Sequence, residues 1–164
     1  MTKIGLLSDT HGYLDPKILK FFDDCDEIWH AGDIGSMDVV DTLSSKAIFK
    51  AVYGNIDGGI VRTEFSEVLM FSCEEVEVLM KHIGGYPRKY ESSVNELLKN
   101  NKIDLFVSGH SHILKVVPDK DYNLLHINPG AAGDSGIHKV KTATRFQIDG
   151  SLISELEIIE IKRG

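Results

Sequence analysis

The chain has 164 residues, a length that suits one domain with a core large enough to fold without disulfides or a structural metal. Lys and Arg number 18 against 25 Asp and Glu, a net charge of −7 at pH 7, which argues against tight non-specific binding to duplex nucleic acid or to an anionic membrane face. Two cysteines, Cys25 and Cys73, exclude a dense disulfide framework. The first predicted element is a short apolar strand over residues 4–8, stopped by Asp9-Thr10-His11-Gly12. So brief an apolar run fits neither a signal peptide nor a membrane span, and a reduced, cytoplasmic protein is expected.

Asp15-Pro16 then opens a helix, with Asp as cap and Pro in the first turn, and Leu14, Ile18, Leu19 and Phe22 form its apolar face. A second strand over residues 27–30 ends at Gly32-Asp33. Ser36 is placed to cap a short helix carrying Val39, Val40 and Leu43. A third strand over 47–53 ends at Gly54-Asn55. This repeat of strand, polar loop and helix is the pattern of a parallel sheet whose loops gather at one edge.

The rhythm then changes. Residues 65–71 and 76–80 read as strands joined near residues 72–75. Residues 91–100 read as a helix with Val94, Leu97 and Leu98 inward, and residues 103–107 as a buried strand ending at Ser108-Gly109-His110. Strands over 113–117 and 124–127 flank a turn at 118–121, and strands over 142–148 and 152–159 flank Asp149-Gly150, a strong hairpin signal. Parallel units followed by antiparallel strands predict two packed mixed sheets with helices outside.

Metal-ligand residue types recur where strands stop. Asp9 and His11 follow the first strand, Asp33 the second, Asn55 the third, His82 the second strand of the central hairpin, and His110 and His112 the strand after the long helix. Glycine sits beside each set, which lets the backbone turn sharply or approach a ligand closely. In an open α/β sheet such loops converge on one crevice. Each residue alone reads equally as a cap, turn or surface group, but together these nitrogen and oxygen donors suit a dinuclear metal site. Two ions roughly 3.5–4 Å apart can clamp a phosphoryl group and activate hydroxide.

The ordered blocks Asp9-Thr10-His11, Gly32-Asp33, Gly54-Asn55, His82, Gly109-His110-Ser111-His112 and Asn128-Pro129-Gly130 resemble the calcineurin-like metallophosphoesterases, in particular their small bacterial and archaeal phosphodiesterases. The resemblance implies one such domain over residues 1–164, folded as an α/β four-layer α-β-β-α sandwich with two mixed central sheets. It implies that Asp9, His11 and His112 hold one metal, that Asn55, His82 and His110 hold a second, and that Asp33 bridges them. Asp33, Asn55 and His82 are thereby also catalytic candidates. The implied cofactors are two divalent ions, Mn²⁺ first, with Ni²⁺, Fe and Zn²⁺ as alternatives. The implied reaction is attack of metal-activated hydroxide on a small phosphodiester, with no stable binding of duplex nucleic acid and no membrane. The resemblance also admits a homodimer.

The chain departs from the pattern in places. Larger relatives carry a histidine after the Gly-Asn pair, where this chain has Ile56 and then Asp57. The general acid is thereby unassigned. Asp57 is the candidate helper, through a bond to the metal-holding residues or by binding water, and equally a turn former. Lys81 is expected to point away from His82. His30 and His126 are expected to pack inside. The basic segment 134–145 is either a guide for an anionic substrate or a solvated edge, and residues 86–90 line a cleft or open the next helix. Two further readings share the fold: a non-catalytic protein-interaction scaffold, and a phosphomonoesterase or nuclease of the same family. Retention of all four candidate histidine ligands favours the catalytic reading over the scaffold.

Overall fold

Side-chain alternation along the first strand sets the layering. The computed structural model describes residues 1–164. In β1 (Thr2–Leu7), Ile4 and Leu6 face one side and Leu7 the other, and all three are fully buried. A strand buried on both faces belongs in the middle of a layered α/β structure. β2 (Glu27–His30) repeats the arrangement, with Trp29 turned one way and Ile28 the other. β1, β2 and β3 (Ile48–Ala51) pair in parallel. On the far side of β1 the hairpin of β9 (Val140–Asp149) and β10 (Leu152–Lys162) adds two antiparallel strands, giving the order β10-β9-β1-β2-β3.

The second sheet has the order β4-β5-β6-β8-β7. β5 (Val76–Lys81), β6 (Leu105–Val107) and β8 (Leu124–Pro129) are parallel at its centre. β4 (Val68–Cys73) and β7 (Leu114–Asp119) run antiparallel at its edges. The inner faces of the two sheets meet in one apolar layer, where Ile4, Leu6, Trp29 and Phe146 pack against Val78, Met80, Val107 and Ile127. The outer face of the first sheet is covered by α1 (Pro16–Phe21), α2 (Met37–Ser44) and α3 (Gly59–Glu64), through Ile18, Val40, Leu43 and Val61. α4 (Ser92–Asn100) covers the second sheet, with Val94 and Leu98 against Leu79 and Phe106. The expected sandwich of two mixed sheets between helical layers is the observed fold.

Some local expectations differ. Asp15 caps α1 by accepting from Lys17 N at 2.8 Å, but Ser36 makes no side-chain cap bond at α2. The strand expected at 65 starts at Val68, because residues 59–64 form α3. Gly58-Gly59 hides that helix in the sequence, since glycine opposes helical propensity and a single buried side chain, Val61, docks it. Cys25 and Cys73 are free and buried in different apolar clusters.

Two histidines lie wholly inside. His30 Nδ1 accepts from Gly32 N at 3.1 Å, while its Nε2 meets Thr10 Oγ1 at 2.9 Å. Thr10 Oγ1 donates onward to Ile34 O, so Nε2–H is the donor and the ring is neutral. His126 stacks on Phe106, with centroids 5.0 Å apart, and bonds Ser108 Oγ through Nε2 at 2.8 Å. Burial pushes both rings down to a pKa of about 4. Between the unfolded value near 6.5 and about 4 the unfolded chain therefore binds more protons, and stability falls as pH drops through that window. The loss is at most about 3 kcal/mol per histidine. Urea unfolding at pH 7 and at pH 4.5 will show the drop, and His126→Gln will make it shallower.

Candidate metal centre

The loops after β1 and β2 continue the strand pairing. Asp9 N donates to Gly32 O (2.9 Å), His11 N to Asp33 O (3.0 Å) and Gly12 N to Ile34 O (2.8 Å). A third segment closes on them, with Ala132 N donating to Ser8 O (2.9 Å) and Gly133 N to Asp9 O (3.1 Å). In the second sheet, Gly109 N donates to His82 O at 2.9 Å and ties the loop after β6 to the end of β5. Asp9, His11, Asp33 and Asn55 thus come from the first sheet, and His82, His110 and His112 from the second.

Nine non-glycine residues have positive φ, and five of them are candidate ligands: Asp9 (54°), His11 (49°), Asp33 (56°), His110 (72°) and His112 (62°). Each left-handed residue costs roughly 1–2 kcal/mol. Such strain gathers at functional sites, where the surroundings enforce it. Glycine serves close approach instead. A Cβ on Gly54 would stand 2.1 Å from Asp33 Oδ1, and one on Gly109 would stand 2.1 Å from Ser8 Oγ.

The side chains assemble into two triads, Asp9-His11-His112 and Asp33-His82-His110, each with its ligand atoms within 4.8 Å of one another. Asp33 Oδ2 lies 3.4 Å from His11 Nε2 and 3.2 Å from His82 Nε2, so one carboxylate oxygen faces both triads. Asp9 Oδ1 lies 3.1 Å from His112 Nε2, 3.8 Å from His11 Nε2 and 3.7 Å from His82 Nε2. Asn55 Oδ1 approaches His110 Nδ1 at 3.0 Å. All seven residues expected at the centre converge there.

The outward oxygens of both carboxylates are fixed. Ser8 Oγ (2.6 Å) and His110 N (3.1 Å) donate to Asp9 Oδ2, and Ile56 N donates to Asp33 Oδ1 at 3.0 Å. Burial alone would raise the pKa of Asp9, but His112, His82 and Ser8 hold it below the ordinary carboxylate value. Asp33 is lowered in the same way: burial is outweighed by His82 and the Ile56 N–H, against the like charge of Asp9. Burial works against the charged form of His82, yet Asp33 and Asp9 raise its pKa.

The donor set fits divalent cations. His11 Nε2 and His82 Nε2 are buried without a hydrogen-bond partner, and both point among the carboxylates. His82 Nδ1 meets Ala31 O at 2.7 Å, which assigns its proton to Nδ1 and leaves the Nε2 lone pair facing the centre. Four imidazoles with carboxylate and amide oxygens suit first-row transition ions better than Mg²⁺ or Ca²⁺.

Asp57 does not reach the triads as a free carboxylate. Its Oδ2 accepts from Ile34 N (3.0 Å) and Gly54 N (2.8 Å), and its Oδ1 from Gly35 N (2.8 Å). Three of its four lone-pair positions are taken, and it braces the Asp33 loop against the Asn55 loop. Of the roles open to it from the sequence, the geometry favours positioning. Asn128 acts similarly, donating from Nδ2 to Gly109 O (2.9 Å) and Ser111 Oγ (3.1 Å). The basic segment is largely neutralised, since Lys141 pairs with Asp15 (2.9 Å) and Asp134 (3.2 Å), and Arg145 with Glu157 (2.9 Å). From that segment His138 stands against the centre, edge-on to His112 with centroids 5.0 Å apart and its Nε2–H on Gly133 O. Only the fold brings it there; no spacing in the sequence pairs residues 112 and 138.

Fold and site together define a class: a two-sheet α/β sandwich whose strand ends deliver two His/Asp triads to one crevice. Residues 2–151 match the calcineurin-like phosphoesterase superfamily domain, and the chain belongs to that superfamily. It is similar to a probable metallophosphoesterase of Methanothermobacter thermautotrophicus, 32% identical over 135 residues that cover 78% of this chain and 76% of that protein. It is also similar to a phosphodiesterase of Methanocaldococcus jannaschii, 26% identical over 144 residues, 78% of this chain and 82% of that protein. Among solved structures, Vps29 of Chaetomium thermophilum superposes with a TM-score of 0.77 over 100% of both chains at 15% identity, a likeness of fold alone.

Two substitutions test the architecture of the centre without removing a ligand. Asp57→Asn replaces an acceptor oxygen with a donor facing backbone N–H groups, and Mn²⁺ affinity measured by calorimetry will fall about 10–100-fold. Gly54→Ala drives a methyl group into Asp33 Oδ1 and will weaken Mn²⁺ by at least about tenfold, with the far-ultraviolet circular dichroism retained.

Proposed function

We propose that this chain is a metal-dependent phosphodiesterase, of the kind found among small bacterial and archaeal superfamily members, acting on a small phosphodiester at a dinuclear site. The observation that carries the reading is the single Asp33 oxygen facing imidazoles of both triads, the placement a bridging carboxylate needs. The similarity to a phosphodiesterase supports a diester over a monoester. Two divalent ions, Mn²⁺ first and Ni²⁺, Fe or Zn²⁺ as alternatives, would supply a hydroxide nucleophile at neutral pH and neutralise charge developing on phosphoryl oxygens.

The chain's own residues divide the remaining work. Asp9, His11 and His112 would hold one ion, Asn55, His82 and His110 the other, and Asp33 would serve both. Asn55 is exposed at the mouth of the crevice, where its amide N–H can donate to a phosphoryl oxygen while Oδ1 faces the centre. Ser8, Asp57 and Asn128 keep the ligands preorganised, so little rearrangement accompanies the reaction. Neither Ile56 nor the braced Asp57 serves as proton donor. With no proton donor assigned to the leaving oxygen, esters with acidic alcohols react fastest.

The test is hydrolysis of bis(p-nitrophenyl) phosphate by metal-stripped protein before and after Mn²⁺, beside Asp33→Asn. Activity returns with Mn²⁺ in the wild type, exceeds that on p-nitrophenyl phosphate, and drops at least about 100-fold in the variant. Inactivity with two ions bound, or full activity of the stripped protein or of the variant, overturns the reading.

A further inference from the structure

A cavity of about 320 Å³ opens beside the second triad and is lined by His82 of that triad and by Asn55. Lys81, the last residue of β5, lines this cavity and is itself 8% exposed. Its Nζ makes only two long contacts, to Ile83 O at 3.3 Å and Ser93 Oγ at 3.2 Å. No carboxylate stands within ion-pair distance of it, whereas Lys141, the other buried lysine, pairs with both Asp15 and Asp134. An ammonium has three donors and loses much of its hydration on burial, so an unpaired one in a cavity wall is costly unless an anion completes it.

A second feature of the same wall points to an anion. Ser93, which touches Lys81, lies in the first turn of α4, a helix of 9 residues. Its cap, Glu91, makes no side-chain bond to the helix, and the first turn has no acidic residue. The one acidic group at that terminus is the cap Glu91 itself, which is exposed and makes no bond to the helix, so the partial positive charge there is offset only weakly. Arg62 adds a cation at the mouth, its guanidinium 4.5 Å from the Tyr53 ring centre. Glu67 and Glu91 also line the cavity, but both are exposed, where water and salt screen them; Lys81 is the buried charge.

We propose that this cavity is a subsite for a second phosphate. The preferred substrate is then a phosphodiester that carries a phosphate monoester on one of its alcohol components, with the diester at the metal centre and the monoester on Lys81. The word substrate rests on the phosphodiesterase reading above; phosphate binding at Lys81 does not.

Two measurements separate the claims. In the first, metal-stripped protein is unfolded thermally in inorganic phosphate and in chloride at matched ionic strength. Phosphate stabilises folded chains in general, but the midpoint of the wild type rises further in it than that of Lys81→Met, which keeps the stem and removes the charge. In the second, kcat/KM with Mn²⁺ is compared for a thymidine dinucleotide with and without a 5′-phosphate, with bis(p-nitrophenyl) phosphate as reference. The wild type prefers the phosphorylated form by at least about tenfold, and Lys81→Met brings the ratio close to one. Should Lys81→Met fail to fold, the wild-type ratio still decides. A ratio near one, or an equal phosphate shift in wild type and variant, overturns the subsite while activity on the reference diester leaves the phosphodiesterase reading standing. Inactivity on all three esters beside a Lys81-dependent phosphate shift overturns the phosphodiesterase reading and keeps the anion site.

Discussion

Two carboxylates, Asp9 and Asp33, are buried in one crevice and face the same imidazoles. Burying like charges together is unfavourable unless positive charge is brought to them. Much of the local architecture answers that constraint. Four histidines converge on the pair, and the backbone N–H groups of Ile56 and His110, with the Ser8 hydroxyl, take up the outward oxygens. The inward oxygens are left to the imidazoles and to whatever cation they jointly hold.

The convergence is mechanically demanding. Five candidate ligands sit in a backbone conformation that side chains with a Cβ avoid. They stay there because the loops are bonded to one another: the β1 and β2 loops as a ladder, the 131–133 segment over them, and the β6 loop to the end of β5. Asp57 and Asn128 add side-chain braces at two further junctions. The fold beneath supplies stiffness, since β1, β2, β5, β6 and β8 are each packed on both faces and cannot slide without disturbing two apolar layers.

The layers and the ligand types were legible in the sequence because both follow simple periodicities. Apolar runs such as residues 4–7 and 105–107 mark buried strands, and polar residues after them fall at one sheet edge. What could not be read was direction. Nothing in Asp-Thr-His or His-Ser-His announces positive φ, because the residues are not glycine. Asp57 looks like a catalytic helper until its carboxylate is seen among three backbone donors. α3 has no signature in the sequence, because its Gly-Gly start denies it propensity and docking alone holds it. Strand alternation placed Lys81 away from His82, but only the position of α4 shows that it ends without a counterion. His138 reaches His112 through a path set wholly by tertiary structure.

The division of the candidate ligands between the two sheets gives the interior an additional role. Asp33 hangs from one sheet and His82 from the other, and the distance between them depends on the apolar layer that Trp29, Phe146, Val78 and Met80 fill as well as on the His82 bond to Ala31 O that crosses the gap. The sandwich works as a caliper. A change in side-chain volume far from the crevice moves the jaws, so packing deep in the core gauges the gap between the two triads.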